Sequence, residues 1–369
     1  MDSTIATPPT APLSEQRHRR RVTFGGPAIG ITIATAALFL ASLIVQPQSV
    51  SHSSLLGMLP FAAILAIVSM GQTLVIQQGG IDLSVPGMLS LTVVLMTHYP
   101  DGDSGRLAPA LGISLGALLA AGLVTGLLVA RIGITSIVAT LGMNAVLFGF
   151  VIDITGGTPR PTTSTLHSFA SGTVAGIPTT VIVAAAICAV VWFVVKRTVV
   201  GRYFEAVGAS SVGARAAGLE SHRFRVSTYV GAALLYWAAG VLLAGVVQTP
   251  SVFQGDSYLL PSVAAVVLGG TSLLGGRGSA VASAIAALFL SQLDQLVLTT
   301  GVNSAIQNLV QAAVLAIGIA VYSVPWDRLR QRFISAPAAA APASVTGDAG
   351  DPSAVNVVVR QSQEEEKAR

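Results

Sequence analysis

Between residues 27 and 324 the sequence is a succession of apolar runs with almost no charge inside them. A helix that crosses a bilayer needs about 20 apolar residues. Hydrocarbon offers no water to pair backbone N–H and C=O groups, so such runs fold as helices. Ten can be delimited, at 27–46, 55–77, 86–98, 107–130, 134–153, 178–195, 226–248, 260–274, 279–298 and 302–324. Composition agrees: 52% of the residues are hydrophobic and 10% charged, against roughly 25% charged in a soluble domain. The expected fold class is an all-α integral membrane protein, a polytopic bundle of about ten transmembrane segments in which some helices are broken or short.

The flanks differ from this core. Residues 1–26 are polar and carry a basic cluster at 17–21, and read as a disordered cytoplasmic arm. The run after them is a full span long and lacks a small-residue cleavage pattern, so it reads as an uncleaved first span. Residues 27–325 form the transmembrane domain, and 326–369, alanine- and proline-rich and then charged, read as a mostly disordered cytoplasmic tail. The single cysteine, Cys188, lies in an apolar run and reads as a structural thiol.

The formal charge is +4, but the basic residues do not line one folded face as a nucleic-acid site would. They sit at the ends of the apolar runs. Alternating ten segments brings Arg131, Lys196, Arg197, Arg202, Arg215, Arg223, Arg225 and Arg277 to the side of both termini, 18 of the 20 Lys and Arg in all. The other side keeps Arg106 and Arg160, with Asp101, Asp103 and Asp256 nearby. Basic loops stay in the cytoplasm, which puts both termini there. The segments at 79–98 and 260–274 are short for a perpendicular span and suit half-helices or re-entrant segments.

One stretch departs from ordinary spans. Gln72–Leu91 reads Q-T-L-V-I-Q-Q-G-G-I-D-L-S-V-P-G-M-L-S-L. Gly79 and Gly80 weaken a helix, Pro86 interrupts it, and Asp82 is a carboxylate at membrane depth. Broken helices at that depth survive only where protein or a water-filled cavity pairs the freed backbone, a recurring device of transporters. Two readings of Asp82 and Ser84 stay open. They line a translocation path, or they cap the helix that starts near Pro86. The run ending L-G-G-T-S-L-L-G-G-R-G-S at 268–279 echoes this break. Gly269, Gly270, Ser272, Gly275 and Gly276 are therefore candidate break or path residues. Whether the echo marks an internal repeat or only the abundance of glycine in membrane helices stays open.

The glycine-rich run at 269–278 is not a phosphate loop. It has no lysine followed by serine or threonine, and apolar helices flank it. No His, Cys or Glu cluster has metal-ligand spacing, no G-x-S-x-G elbow occurs, and none of the five histidines falls mid-span. We expect no catalytic residues, no cofactor, no metal and no proton relay. The linker at 196–225 is long and not of low complexity, so it is expected to fold. Residues 210–220 suit a short helix with a glycine stop at Gly218, and Gly208 suits the turn before it. It reads as a docking element for a soluble partner, or as a solvated loop whose arginines only set orientation.

These residues resemble the permease subunits of bacterial ABC importers for monosaccharides, the ribose/xylose/galactose type, over residues 55–324. The family's G-I-D-L-S-V-G is Gly80–Gly87 here, with Pro86 inserted, and its T-L-G and I-T-G-G stretches are 140–142 and 154–157. Its coupling motif is matched at Thr198, Gly201, Arg202, Ala206, Gly208, Ala214, Arg215 and Gly218, while its asparagine is Ser210 and the first alanine of a pair is Gly213. Its V-L-G-G-T-S-L-x-G-G-x-G is complete at 267–278. The resemblance implies a multi-pass protein of the bacterial cytoplasmic (inner) membrane that carries a monosaccharide. A separate ABC ATPase would bind the 196–225 loop through residues such as Arg202, Glu205, Gly208, Ala214, Arg215 and Gly218. An extracytoplasmic sugar-binding protein would deliver the sugar, and a second permease copy, identical or a sister chain, would complete the pore. Competing readings are a permease for another solute, such as an autoinducer-type furanosyl compound or a branched-chain amino acid, and a membrane scaffold or enzyme. The amino acid branch carries an Asn-Phe-Ala-His type sequence where this chain has Ile81–Ser84. An intramembrane enzyme needs a nucleophile–base pair or metal ligands within the spans, and the sequence offers neither.

Overall fold

The computed structural model describes residues 27–301 and the isolated positions 309, 312, 313 and 316. The expected arm at 1–26, the tail at 326–369 and nearly all of the tenth run lie outside the described residues. The described chain is helical but for one two-stranded hairpin. Its helices are α1 (Pro27–Val45), α2 (His52–Gln77), α3 (Val85–His98), α4 (Leu107–Leu127), α5 (Ser136–Thr155), α6 (Ser164–Ala170), α7 (Thr179–Arg197), α8 (Val199–Ala209), α9 (Ser211–Ala216), α10 (Ser221–Val246), α11 (Leu259–Leu268) and α12 (Ala280–Thr299).

Seven segments of the described residues are long and apolar enough to cross a membrane: α1, α2, α4 with its terminal π turn, α5, α7, α10 and α12. Two shorter apolar helices, α3 and α11, accompany them. The expectation of about ten spans thus becomes seven long helices and two short ones among the described residues. The run read as 260–274 stops early, at Leu268, because Gly270 takes φ +75° and turns the chain. Proline does not break α2, which passes through Pro60 within its first turns.

The interior is built on α2, α3 and α10. Ile64, Ile67 and Met70 of α2, Met88 and Leu89 of α3, and Tyr236 and Leu243 of α10 are fully buried. Lipid tails are as apolar as leucine, so close packing rather than the hydrophobic effect joins such helices. The helix pair α2–α10 shows this: a Cβ on Gly71 would stand 2.6 Å from the Tyr236 ring. Apolar side chains of α1, α5 and α7 instead point outward, among them Ile33, Ile44, Val138, Phe150 and Phe193. Such a surface suits lipid, not water.

Alternating helix directions sort the loops to two ends. One end joins the segment after α3 to the segment after α5, through an Arg160–Asp101 ion pair at 2.7 Å and a His98 Nε2–Thr158 O bond at 2.9 Å. It also carries α6 and the hairpin, β1 (Thr173–Val174) with β2 (Ile177–Pro178). The other end carries α8, α9 and the 269–279 loop. Here the linker at 196–225 departs from expectation. It holds two helices rather than one, and Gly208 lies in the last turn of α8 rather than in a turn before a helix.

Candidate functional site

The break follows from how α2 ends. Gly79 takes φ +78°, and Gly80 N–H bonds back to the Val75 carbonyl at 3.2 Å, which stops the helix in a Schellman-type turn. The chain then runs unwound to Ser84 and re-enters a helix at Val85. It also doubles back: Asp82 lies beside Gln72, five residues before the end of α2, so α3 starts about 8 Å back along the α2 axis. The break therefore runs from an exposed Gly79 into the bundle, where Asp82 and Ser84 are buried.

Most of the freed backbone donors find side-chain partners. Ile81 N–H donates to Ser136 Oγ at 3.0 Å, Leu83 N–H to Thr140 Oγ1 at 3.0 Å, and Gly87 N–H to Asn144 Oδ1 at 2.8 Å. Ser136, Thr140 and Asn144 stand four residues apart, so they form one polar stripe along α5. Ser84 N–H and Ser84 Oγ both donate to Asp82 Oδ1, at 2.9 and 2.5 Å. In the amide orientation that pairs every group, Gln72 accepts from Asp82 N–H and donates to the Asp82 carbonyl, both at 3.3 Å, and donates to the Tyr236 hydroxyl at 3.0 Å. Asp82 is 2% exposed.

This arrangement refines the capping expectation. Asp82 pairs the donors just ahead of the helix, and Ser84, the N-cap residue of α3, makes no capping bond itself. The first turn is served from α5 instead. The stripe on α5 escaped sequence reading, although S-x-x-x-T-x-x-x-N in an apolar span was its signal. Gln72 and Tyr236, and Tyr229, whose hydroxyl would stand 2.8 Å from a Cβ on Gly80, also escaped, because each looks like an isolated polar residue along the chain.

The second glycine run shares the turn geometry of the first. Gly270 N–H bonds to Val267 O at 2.8 Å and Thr271 N–H to Val266 O at 3.2 Å. The equivalent residues are therefore Gly79 and Gly270, one position out of register with the Gly-Gly pairing read from the sequence. Such turns end roughly a third to a half of helices, so the likeness alone carries no repeat. Gly269 packs closely on α12, where a Cβ would lie 2.8 Å from Ser283 N. Ser272 N–H bonds to Arg277 O at 2.9 Å, closing the loop. Gly275 and Gly276, at φ +87° and +79°, carry it against the end of α2.

The α8–α9 pair is fixed by two caps of the same spacing. Thr198 Oγ1 accepts from Gly201 N–H at 3.2 Å, and Ser210 Oγ accepts from Gly213 N–H at 3.0 Å. Serine at 210 can cap as asparagine does, so that departure from the resembled motif costs the local fold little. Glu205 pairs with Lys196 at 2.5 Å, tying α8 to α7. Gly218 takes φ +82° and ends α9, as its position suggested. Ala214 is buried, while Arg202 and Arg215 are exposed; Arg215 Nη1 reaches only Ser221 Oγ, at 3.5 Å. Of the candidate residues, Gly79, Gly80, Asp82, Ser84, Gly275, Gly276 and Gly208 come together around the end of α2. Arg202, Ala214, Arg215 and Gly218 stand apart from the break.

Residues 54–319 match the family described as branched-chain amino acid transport system / permease component. The ribose import permease protein RbsC of Escherichia coli (strain K12) is 32% identical over 295 residues, covering 78% of this chain and 91% of that protein. The protein of the same name in Bacillus subtilis (strain 168) is 32% identical over 311 residues, covering 82% and 96%. The galactofuranose transporter permease protein YtfT of E. coli K12 is 33% identical over 280 residues, covering 74% and 79%. No solved structure matches.

Proposed function

Because the chain belongs to the family of branched-chain amino acid transport system permease components, we propose that it is the membrane subunit of an ATP-driven importer for a monosaccharide of the ribose, xylose or galactose kind. The family description names amino acids, but the relatives at 32–33% identity are named for ribose and galactofuranose. The Ile81-Asp82-Leu83-Ser84 sequence of the break also departs from the amino acid branch.

The observation that carries this reading is the α8–α9 pair. It is a capped, folded element outside the apolar spans, and it presents Arg202, Tyr203, Val212 and Arg215 to the surface. The sequence holds no phosphate loop, so the energy for transport comes from a partner that docks here. That partner is an ABC ATPase in the cytoplasm. The bundle end carrying α8 and α9 then faces the cytoplasm, as its arginines favour, and the membrane is the bacterial inner membrane. An extracytoplasmic sugar-binding protein delivers the sugar to the opposite end, and a second permease copy completes the pore. The helix break at 79–84 borders the path.

Two measurements test this. In sealed cells lacking Cys188, an outside thiol reagent is expected to label Ser104→Cys and not Ser211→Cys; labelling of Ser211→Cys contradicts the orientation. Arg215→Glu replaces an exposed cation by an anion and should leave the chain in the membrane. A charge-assisted contact contributes about 1.5–3 kcal/mol, so recovery of the ATPase in pull-downs is expected to fall at least tenfold. Wild-type recovery would make α8–α9 a mere connector.

A further inference from the structure

The α8 helix meets the break at one place. The carbonyl oxygen of Gln77, the last residue of α2, is enclosed by backbone. Gly276 N–H donates to it at 2.9 Å. A Cβ on Gly208 of α8 would stand 2.4 Å from it, and one on Gly275 would stand 3.2 Å away. One residue on, Gln78 Nε2 donates to the Phe204 carbonyl of α8 at 2.8 Å. Gly79 follows and opens the break, and Ile81 N–H is already held by Ser136. The 275–276 turn also presses on α8, where a Cβ on Gly276 would lie 3.0 Å from Ala209 Cα.

At the Gln77 carbonyl the contacts are backbone on backbone, with no side chain whose rotamer could absorb a shift. The root of α8 is equally tight: a Cβ on Gly201 would fall 2.1 Å from the Val195 carbonyl, and Lys196 and Glu205 pair across the corner. A displacement of α8 therefore has a short, continuous route to the unwound segment. From Phe204 O it passes to the Gln78 side chain, and three peptide bonds further on it reaches Ile81. Coupling between sites travels through packed and hydrogen-bonded networks of this kind.

We infer that Gln77–Gly79 is the joint through which α8 moves the 79–84 break, with Gln78 as a positioning residue that acts through that break. The inference rests on the reading of α8–α9 as the ATPase-docking element, and adds the point at which the stroke enters the membrane domain.

The test uses the complex of full chain, ATPase and binding protein, with Cys188 replaced by alanine and a cysteine at Leu83, a half-buried residue of the break. Its reaction rate with a small thiol reagent is measured without nucleotide and with ATP plus vanadate. The expected result is a nucleotide-dependent change in rate. Gln78→Ala removes one hydrogen bond and adds no bulk, and should shrink that change about fivefold while ATPase recovery and ATP hydrolysis persist. A merely structural role would lower membrane level, ATPase recovery and hydrolysis together. Gln78→Met, which keeps the side chain's length but cannot donate to the Phe204 carbonyl, provides a second variant with the same expected signature should Gln78→Ala not fold. A full nucleotide response in Gln78→Ala overturns the joint. So does a Leu83→Cys rate that ignores nucleotide in the otherwise native complex. Failure of the native chain to recover any ATPase overturns the docking reading itself, and the joint with it.

Discussion

Gly80→Leu is expected to abolish sugar uptake while the chain still reaches the membrane. A Cβ at this position would stand 2.8 Å from the Tyr229 hydroxyl and 3.2 Å from Ser136 Oγ. Ser136 Oγ is the acceptor for Ile81 N–H, so the added side chain crowds the group that pairs the break. Overpacking a tight site costs about 1–3 kcal/mol. A buried donor left without its acceptor costs a further 1–3 kcal/mol or so. Together these exceed what the 79–84 geometry can absorb, and uptake should fall at least about 30-fold, since every 1.4 kcal/mol is about tenfold. Leucine at Gly112 of α4, where a Cβ meets nothing within 4 Å, provides the control. Uptake of D-ribose by cells at matched membrane levels reads the difference. Wild-type uptake in Gly80→Leu would remove the break from the mechanism.

Asp82→Leu and Asp82→Asn should separate sharply. The carboxylate accepts from Ser84 N–H and Ser84 Oγ. Asparagine keeps a side-chain oxygen for the Ser84 donors, so Asp82→Asn should retain partial uptake. Leucine leaves those donors buried without an acceptor, at about 1–3 kcal/mol for each. Its uptake should fall at least about 30-fold, with a lower unfolding temperature in detergent. Equal uptake in the two variants would mean that the charge of Asp82, rather than its hydrogen bonding, sets its role.

Much of this molecule is legible in one dimension. Length and apolarity set the helices, because hydrocarbon leaves the backbone no alternative to pairing within the segment. That is why the run at 134–153 could be matched to α5 (Ser136–Thr155) within two residues. The break at 79–87 is equally visible, since two glycines, an aspartate and a proline have no ordinary place in a span. What pairs the break is not visible. Ser136, Thr140 and Asn144 lie more than fifty residues downstream of it, and only the docking of α3 on α5 brings them there. Gly208 shows the same limit. Its sequence neighbourhood suggests a turn, but it stays helical because it must leave room for the Gln77 carbonyl, which no local pattern encodes. The first helix of the linker, α8, is not legible in the sequence pattern either, although Thr198 and Gly201 carry a capping spacing. Its buried face of Gly201, Phe204 and Val207 acquires meaning only against the ends of α2 and α7.

This chain is expected to move sugar only when a separate ATPase works on it. Co-purification of the chain from its native membrane, reconstitution of the recovered subunits in proteoliposomes with the sugar-binding protein in the external buffer and ATP inside, and labelled D-ribose, D-xylose and D-galactose test this. The account predicts an ABC ATPase among the recovered subunits, and accumulation of at least one of the three sugars that needs ATP and the binding protein and stops with vanadate. Recovery of the chain without any ATPase, or sugar accumulation that proceeds undiminished without ATP, would contradict it.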